Sequence, residues 1–165
     1  MSLANLDELF LHHLKDTYDA EKQLTKALPK MKKAASSPEL AGAFDEHLAV
    51  TKKQIERLER VFEIIGKPAR GKKCVGMEGL IAEGAEVIEE EGTEATLDAA
   101  LIAAAQKVEH YEIAAYGAMV TYAEILGLKE AVKLLKQTLA EEKETDENLS
   151  LLASQINFEA AEEDD

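Results

Sequence analysis

The sequence lacks several features that mark common functional classes. Its 165 residues include one cysteine, Cys74, which excludes an internal disulfide and is typical of a reducing compartment. No apolar run approaches the ~20 residues that a membrane-spanning helix needs, and no charged-then-apolar leader opens the chain, so we expect a cytoplasmic protein. Lys and Arg number 19 against 33 Asp and Glu, a net charge of −14. This acidity argues against nucleic acid or an anionic membrane as the partner.

An alternating apolar and polar pattern of useful length is also missing, so strands are not expected. Apolar residues recur instead at spacings of three and four almost throughout, which predicts an all-α protein. The predicted helices span about 3–34, from 36–38 to 65, 77–91, 94–126 and 129–158. The length corresponds to one domain, which we place at 1–158, followed by an acidic and flexible tail at 159–165.

Two helix starts carry recognisable caps. The second long helix begins either with a capping box of Ser36 and Glu39 or with Ser37 as the cap and Pro38 at the first helical position. Thr93 is the expected cap of the third long helix.

The lengths of the connections predict the topology. The first and second long helices, and likewise the third and fourth, are joined by two to four residues, which makes each pair antiparallel neighbours. The connection at 66–93 is much longer and carries the short helix, so it can cross the roughly 40 Å length of a bundle helix. The sequence therefore favours a ferritin-like four-helix bundle, two hairpins joined by a crossover, over a simple up-down-up-down bundle.

Six ionisable residues occupy helix stripes that are otherwise apolar. They are Glu21, His47, Glu109, Glu112, Glu142 and Asp146. A carboxylate inside a helical bundle costs several kcal/mol unless a counter-charge neutralises it, and folding each hairpin about its turn brings these groups together near mid-height. Hard divalent cations take carboxylate oxygens with one or two imidazoles. We therefore predict that these residues bind one or two iron or manganese ions. No catalytic residue is assigned.

Further polar residues near these stripes are candidates to orient the ligands or to donate hydrogen bonds to them. They are Asp16, Tyr18, Thr51, Gln54, His110, Tyr111 and Tyr116.

Structural interpretations compete with the metal site. A single glutamate near a core stripe often extends to solvent at its edge, and Lys107 and Lys143 could pair with the acids in ordinary salt bridges. His47 taken alone fits a hydrogen-bonded core histidine. Cys74 fits a small apolar residue in the crossover, because it has no partner cysteine and no nearby histidine.

Several stretches resemble a known family. LHHLKDTYDAEKQLTKALPKM, KCVGMEGLIAEGAEVIE, DAALIAAAQKVEHYEIAAYG and LLKQTLAEEKETD are similar to the YciF-type bacterial stress proteins, a branch of the ferritin-like superfamily. The resemblance covers nearly the whole chain. It implies four long helices with an extra short helix, a homodimer, a cytoplasmic location and a role in the stress response.

The ferritin-like resemblance also implies roles for individual residues. Glu21 matches the glutamate of the first long helix, and Glu112, with Glu109, matches that of the third. His47, and Glu142 with Asp146, stand where the superfamily usually has Glu-x-x-His, but the chain contains no Glu-x-x-His motif. The first hairpin is therefore poor in ligands, which puts tight binding of a second ion in doubt.

Two functions remain open at this level. The first is a metal protein that acts on oxygen, peroxide or metal under stress. The second is a non-catalytic structural or interaction protein with a vestigial metal site, which the missing motifs favour. A third, weaker interpretation is an adapter that neutralises basic partners through its acidic tail.

Overall fold

The computed structural model describes residues 3–162, which form helices and no strands. The helices are α1 (Leu6–Ala34), α2 (Pro38–Ile64), α3 (Val75–Glu89), α4 (Glu94–Ile125) and α5 (Lys129–Glu162). The predicted all-α architecture of four long helices and one short one is confirmed. None of these helices is apolar over a stretch long enough to cross a membrane.

The helix starts follow from their caps. Ser37 accepts a hydrogen bond from the Leu40 amide, with Pro38 opening α2, so the second of the two predicted caps is the one observed. Thr93 caps α4 as expected. Helix α1 starts three residues later than predicted. Asn5 is its N-cap, because its side chain accepts a hydrogen bond from the Glu8 amide.

The far end of the chain differs from the prediction. Helix α5 continues to Glu162 instead of ending at residue 158, so residues 159–162 are helical and belong to the bundle's last helix. The apolar side chain of Ile156 is buried near this end, which anchors the last turns on the core. Residues 163–165 of the predicted acidic tail lie outside the described residues.

The bundle consists of two hairpins. Helix α1 packs on α2, α4 packs on α5, and the pairs meet through α1 with α4 and α2 with α5. The short connections after α1 and α4 make each hairpin antiparallel, and Gly127, at φ 72°, supplies the left-handed residue of the second turn. Helix α3 packs mainly against α1 and α4, so it covers one side of the bundle.

The connection between the hairpins runs the length of the bundle. It passes the middle of α1, where the Lys72 amide donates to the Lys15 carbonyl and the Cys74 amide to Asp19. After it, the start of α4 lies beside the α1–α2 turn. There Asp98 accepts hydrogen bonds from the amides of Ser36 and Ser37 at 2.8 and 2.7 Å. The predicted crossover is therefore the observed topology.

Two apolar clusters fill the core, one toward each end. Leu24, Phe44, Ile102 and Leu149 belong to the cluster near the α1–α2 turn, which also contacts α3. The cluster at the other end is built from all four long helices and contains the following buried residues: Phe10, Leu14, Leu58, Phe62, Met119 and Leu135. The layer between the two clusters is polar, and it holds the candidate site.

Asp98 joins the two hairpins, and its removal should destabilise the bundle. The carboxylate is 2% exposed, and Asp98→Ala would leave two amides without their acceptor. We expect the free energy of unfolding to fall by about 1.5–3 kcal/mol, as for hydrogen bonds to a charged group. Urea denaturation measures this, with Asp45→Ala, which removes an exposed ion pair to Lys32, as the control. Equal stability of the two variants would contradict the assigned role.

Candidate metal centre

Four ionisable side chains converge at mid-height from three helices. His47 comes from α2, Glu109 and Glu112 from α4, and Glu142 from α5. Each offers one nitrogen or oxygen atom, and these four atoms all lie within 4.8 Å of one another. The three glutamates are 0% exposed and His47 is 5% exposed. The interpretation in which these acids reach solvent at the edge of the stripe is therefore wrong.

The carboxyl groups of the three cluster glutamates lack hydrogen-bond partners within the described part of the chain. Both carboxyl oxygens of Glu109, Glu112 and Glu142 are buried without a partner among residues 3–162. Nε2 of His47 lies 3.1 Å from Glu109 Oε1 and 3.9 Å from Glu142 Oε2, but it forms no well-directed hydrogen bond. Buried polar groups are almost always satisfied in native proteins, so six orphaned oxygens and one nitrogen point to a missing partner.

Glu21 stands beside this group on α1. Its Oε1 accepts a 2.6 Å hydrogen bond from the hydroxyl of Tyr116, which is also fully buried, whereas Oε2 has no partner. Its charge interacts with those of Glu112 and Glu142. Glu21 therefore borders the cluster and keeps one oxygen without a hydrogen-bond partner.

The electrostatics of the cluster disfavour negative charge. Burial raises the pKa of Glu109 and Glu112 well above the usual range, and the neighbouring Glu142 carboxylate raises both further. Burial and the charge of Glu142 raise the pKa of Glu21 to about 8. Burial lowers the pKa of His47, so its imidazole is neutral and cannot serve as the counter-charge. A divalent cation would compensate the carboxylates, and the donor set fits one.

Asp146 does not join the four-residue group. It lies one turn beyond Glu142 on α5, is 19% exposed at its side chain, and contacts His110 Nε2 at 3.1 Å and Gln106 Nε2 at 3.3 Å. The imidazole of His110 is 69% exposed. Both residues therefore sit at the rim of the bundle, and the charge of Asp146 reaches the cluster only by raising the pKa of Glu109.

Of the expected supporting residues, Tyr116 alone donates to a cluster-bordering carboxylate. The Thr51 hydroxyl is buried but donates to the His47 carbonyl at 2.8 Å, within its own helix. Gln54 donates from Nε2 to Glu141 at 3.2 Å, and its Oε1 has no partner.

The remaining expected residues face other sites. Tyr18 donates to Glu59 at 2.8 Å, and Tyr111 donates to Asp16 at 3.1 Å. Asp16 and Tyr111 meet at Cys74, whose Sγ lies 3.2 and 3.0 Å from them. The cysteine is fully buried in the core, as expected, and it also caps α3 by accepting from the Met77 amide. These contacts attach the crossover to α1 and α4.

Salt bridges do not neutralise the cluster. Lys107 pairs with Glu83 of α3 at 3.1 Å on the surface, and Lys143 is exposed on α5. Within residues 3–162, no Lys or Arg forms an ion pair with Glu21, Glu109, Glu112 or Glu142. The salt-bridge interpretation of the sequence is therefore wrong for these acids.

An ion pair next to the cluster was not anticipated. Arg57 of α2 donates to both oxygens of Glu141 at 2.6 and 2.7 Å and to the Thr138 hydroxyl at 3.0 Å. Glu141 immediately precedes Glu142, so the pair joins α2 to α5 beside the site. The sequence does contain a signal for this ion pair. Arg57 follows Gln54 by three residues, so the two side chains are neighbours on the same face of α2.

Comparison with known proteins assigns the family. Residues 5–162 match the model of a family described as a domain of unknown function, DUF892. The chain is 53% identical to protein YciF of Escherichia coli over 154 residues, 93% of each chain.

Solved structures agree with this assignment. The crystal structure of the Escherichia coli stress protein YciF has a TM-score of 0.91 at 52% identity, covering 93% of this chain and 98% of that one. YcfI of Rhodopseudomonas palustris has a TM-score of 0.88 at 44% identity, covering 90% and 95%. A protein from Xanthomonas campestris, at 22% identity over 97% and 99% of the two chains, shares the fold with a TM-score of 0.79. The chain belongs to the family of YciF-type bacterial stress proteins.

Proposed function

We propose that the buried cluster binds one or two divalent cations, iron or manganese, and that the protein uses this site in the stress response. Oxygen, peroxide or the metal itself is the proposed substrate. The observation that carries the proposal is the set of orphaned oxygens of Glu109, Glu112 and Glu142, which lie against a neutral His47. Stability alone would favour apolar residues at such positions.

The ligand count favours one ion over two. His47, Glu109, Glu112 and Glu142 supply a complete set for one cation, because their four donor atoms fall within 4.8 Å. A second ion would need Glu21, which has a single free oxygen. The first hairpin has few other groups that could bind a metal, since the Thr51 hydroxyl already donates its hydrogen bond to the His47 carbonyl.

The bound ion would supply Lewis-acid or redox chemistry. The protein's own residues prepare the site for it in three ways. The apolar clusters on both sides exclude bulk water from the carboxylates, which strengthens their interaction with a cation. Tyr116 holds Glu21 by the 2.6 Å hydrogen bond and leaves Oε2 free. Because burial raises the pKa of Glu109 and Glu112, a cation that binds there would compete with protons for their oxygens.

A second candidate function is a non-catalytic structural or interaction protein that retains a vestigial site. The observation that favours it is the incomplete first hairpin, where Gln54 donates to Glu141 and Thr51 to the backbone. This function predicts a protein whose stability does not respond to metal.

The cellular setting is also proposed. We infer a cytoplasmic homodimer: the single cysteine is typical of a reducing compartment, and the dimer is what the resemblance to the YciF-type family implies. The acidic surface, at a net charge of −14, supports a function without nucleic acid or membrane partners.

Metal should stabilise the folded protein. With free Mn²⁺, or Fe²⁺ under anaerobic conditions, at roughly 100 times the dissociation constant, we expect the free energy of unfolding to rise by about 2.7 kcal/mol. Glu112→Gln should abolish this rise because it removes a charged ligand of nearly the same shape. Calorimetry or urea denaturation with and without metal measures the difference.

The matched control is Glu86→Gln, an exposed residue of α3, which should respond to metal as the wild type does. Metal-free Glu112→Gln should be at least as stable as the metal-free wild type, because burial disfavours a charged carboxylate at this position and the amide is neutral at every pH. An unchanged melting temperature of the wild-type protein after addition of either metal would exclude the metal site and favour the structural alternative.

The metal-free protein should lose stability as the pH rises. Burial raises the pKa of the folded Glu21 carboxyl to about 8, from its ordinary value of 4.5, so the folded state retains a proton that the unfolded state has released. The contribution of this group is fully present below pH 4.5 and is lost as the pH rises to 8. We therefore expect urea denaturation in the presence of a chelator to show lower stability at pH 8 than at pH 5.5.

Glu21→Gln should reduce this dependence, since its amide does not titrate, and the raised pKa of Glu109 and Glu112 should account for what is left. Metal affinity should change in the opposite direction and increase with pH, because the ion competes with protons for the carboxylates. A wild-type pH dependence identical to that of Glu21→Gln would contradict the raised pKa.

A further inference from the structure

A surface cleft reaches one member of the candidate metal centre, His47. It lies between α2 and α5, which meet on a side of the bundle that α3 does not cover, and has a volume of about 140 Å³. Val50 and Thr145, one from each helix, are among its half-buried walls, and Asn148 lies exposed at its mouth. The Thr145 hydroxyl donates to the Glu141 carbonyl, so it binds its own backbone and leaves the passage open.

His47 belongs to both the cleft and the cluster. It lines the cleft together with the buried Phe44 and Leu149, and its Nε2 lies 3.1 Å from Glu109 Oε1 and 3.9 Å from Glu142 Oε2. His47 is 5% exposed, and Nε2 has no hydrogen-bond partner. Of the four residues of the cluster, His47 is the one that also lines the cleft. An ion that passed through the cleft would therefore meet the imidazole first.

The charge of the cleft is negative. Glu46 and Glu144 are exposed on its two walls, and neither forms an ion pair with a residue between 3 and 162. Glu141 also lines the cleft, but Arg57 neutralises it through two hydrogen bonds. None of the described residues lining the cleft is Lys or Arg. A concave surface with one sign of charge raises the local concentration of the opposite ion.

A larger cavity elsewhere has the opposite character. The groove of about 240 Å³ between α1, α3 and α4 is mainly apolar, with Lys26 and Lys30 at its edge. It is lined by none of the four cluster residues. Its basic edge and apolar walls make it unsuitable for cations, whereas the cleft between α2 and α5 joins negative charge to an unpartnered imidazole.

We propose that divalent metal cations reach the buried cluster through the cleft between α2 and α5, where Glu46 and Glu144 attract the ion and the imidazole of His47 receives it. The inference rests on the proposed metal-binding function and adds the path by which the ion enters from solvent. The two glutamates act on the approach of the ion and are not ligands in the final site. His47 has two roles, as the inner wall of the cleft and as a ligand of the bound ion.

The electrostatic part is tested by the rate of metal uptake. Co²⁺ is mixed with metal-free, full-length protein in a stopped-flow instrument, and its visible absorption reports arrival at the site. At low ionic strength, Glu46→Gln with Glu144→Gln should slow association by about threefold to tenfold, in the lower range of electrostatic steering. Salt should slow the wild type and have little effect on the variant.

The matched control carries Glu86→Gln and Glu89→Gln. These two exposed glutamates lie on α3, away from the cleft, and their removal changes the net charge by the same amount. If both double variants slow Co²⁺ association equally, the slower rate is caused by the change in net charge, and the proposed route is wrong.

A steric variant tests the route itself. Asn148→Trp places a large side chain at the exposed mouth of the cleft without touching the cluster, so it should fold. An obstruction on the path slows entrance and exit by the same factor, so the association and dissociation rates should both fall while the dissociation constant stays unchanged. Unchanged rates in this variant would overturn the proposal.

The two levels of the proposal can fail separately. A wild-type protein that takes up no Co²⁺ at equilibrium contradicts the metal-binding function. A wild type that binds Co²⁺ at rates insensitive to both the cleft charges and Asn148→Trp keeps that function and excludes this path.

Discussion

Repulsion among buried carboxyl groups is the constraint on which the rest of the structure depends. Glu21, Glu109, Glu112 and Glu142 are all inaccessible to solvent, and the nearest nitrogen base, His47, is held neutral by burial. Such a group is tolerated only when protons or a cation reduce its charge. The remaining structure supplies what this layer lacks: two apolar clusters provide stability on either side, and the hydroxyl of Tyr116 provides a single directed hydrogen bond.

The two hairpins contribute unequally to this layer. Helices α4 and α5 supply three glutamates, whereas α1 and α2 supply Glu21 and His47. On the side of α2 and α5, the ion pair of Arg57 with Glu141 joins the helices next to the site and leaves the acidic cleft beyond it. On the opposite side, Cys74, Asp16 and Tyr111 seal the crossover against α1 and α4. The side formed by α1 and α4 is therefore covered by the crossover, whereas the side formed by α2 and α5 carries a cleft that is open to solvent.

Much of this architecture could be predicted from local patterns. The spacing of apolar residues located every helix, and the lengths of the connections identified the crossover, because short turns and a connection as long as the bundle allow few topologies. Helix ends were less predictable, since capping by Asn5 and burial of Ile156 depend on contacts that periodicity does not contain. Asp98 was missed for the same reason: its partners, the Ser36 and Ser37 amides, are more than sixty residues away.

The sequence by itself determined which helix stripes carry charge, because a carboxylate or imidazole interrupting an apolar repeat is visible without coordinates. Only the tertiary structure decided which of these groups meet. Asp146 follows Glu142 by one turn, about 6 Å along the helix axis, and that displacement places it beside His110 at the rim. Tyr111, next to Glu112 in sequence, points about 100° around the helix and donates to Asp16, and Tyr18 donates to Glu59. Distances of a few ångströms depend on how helices rotate and slide against each other, and packing across the whole bundle sets that rotation.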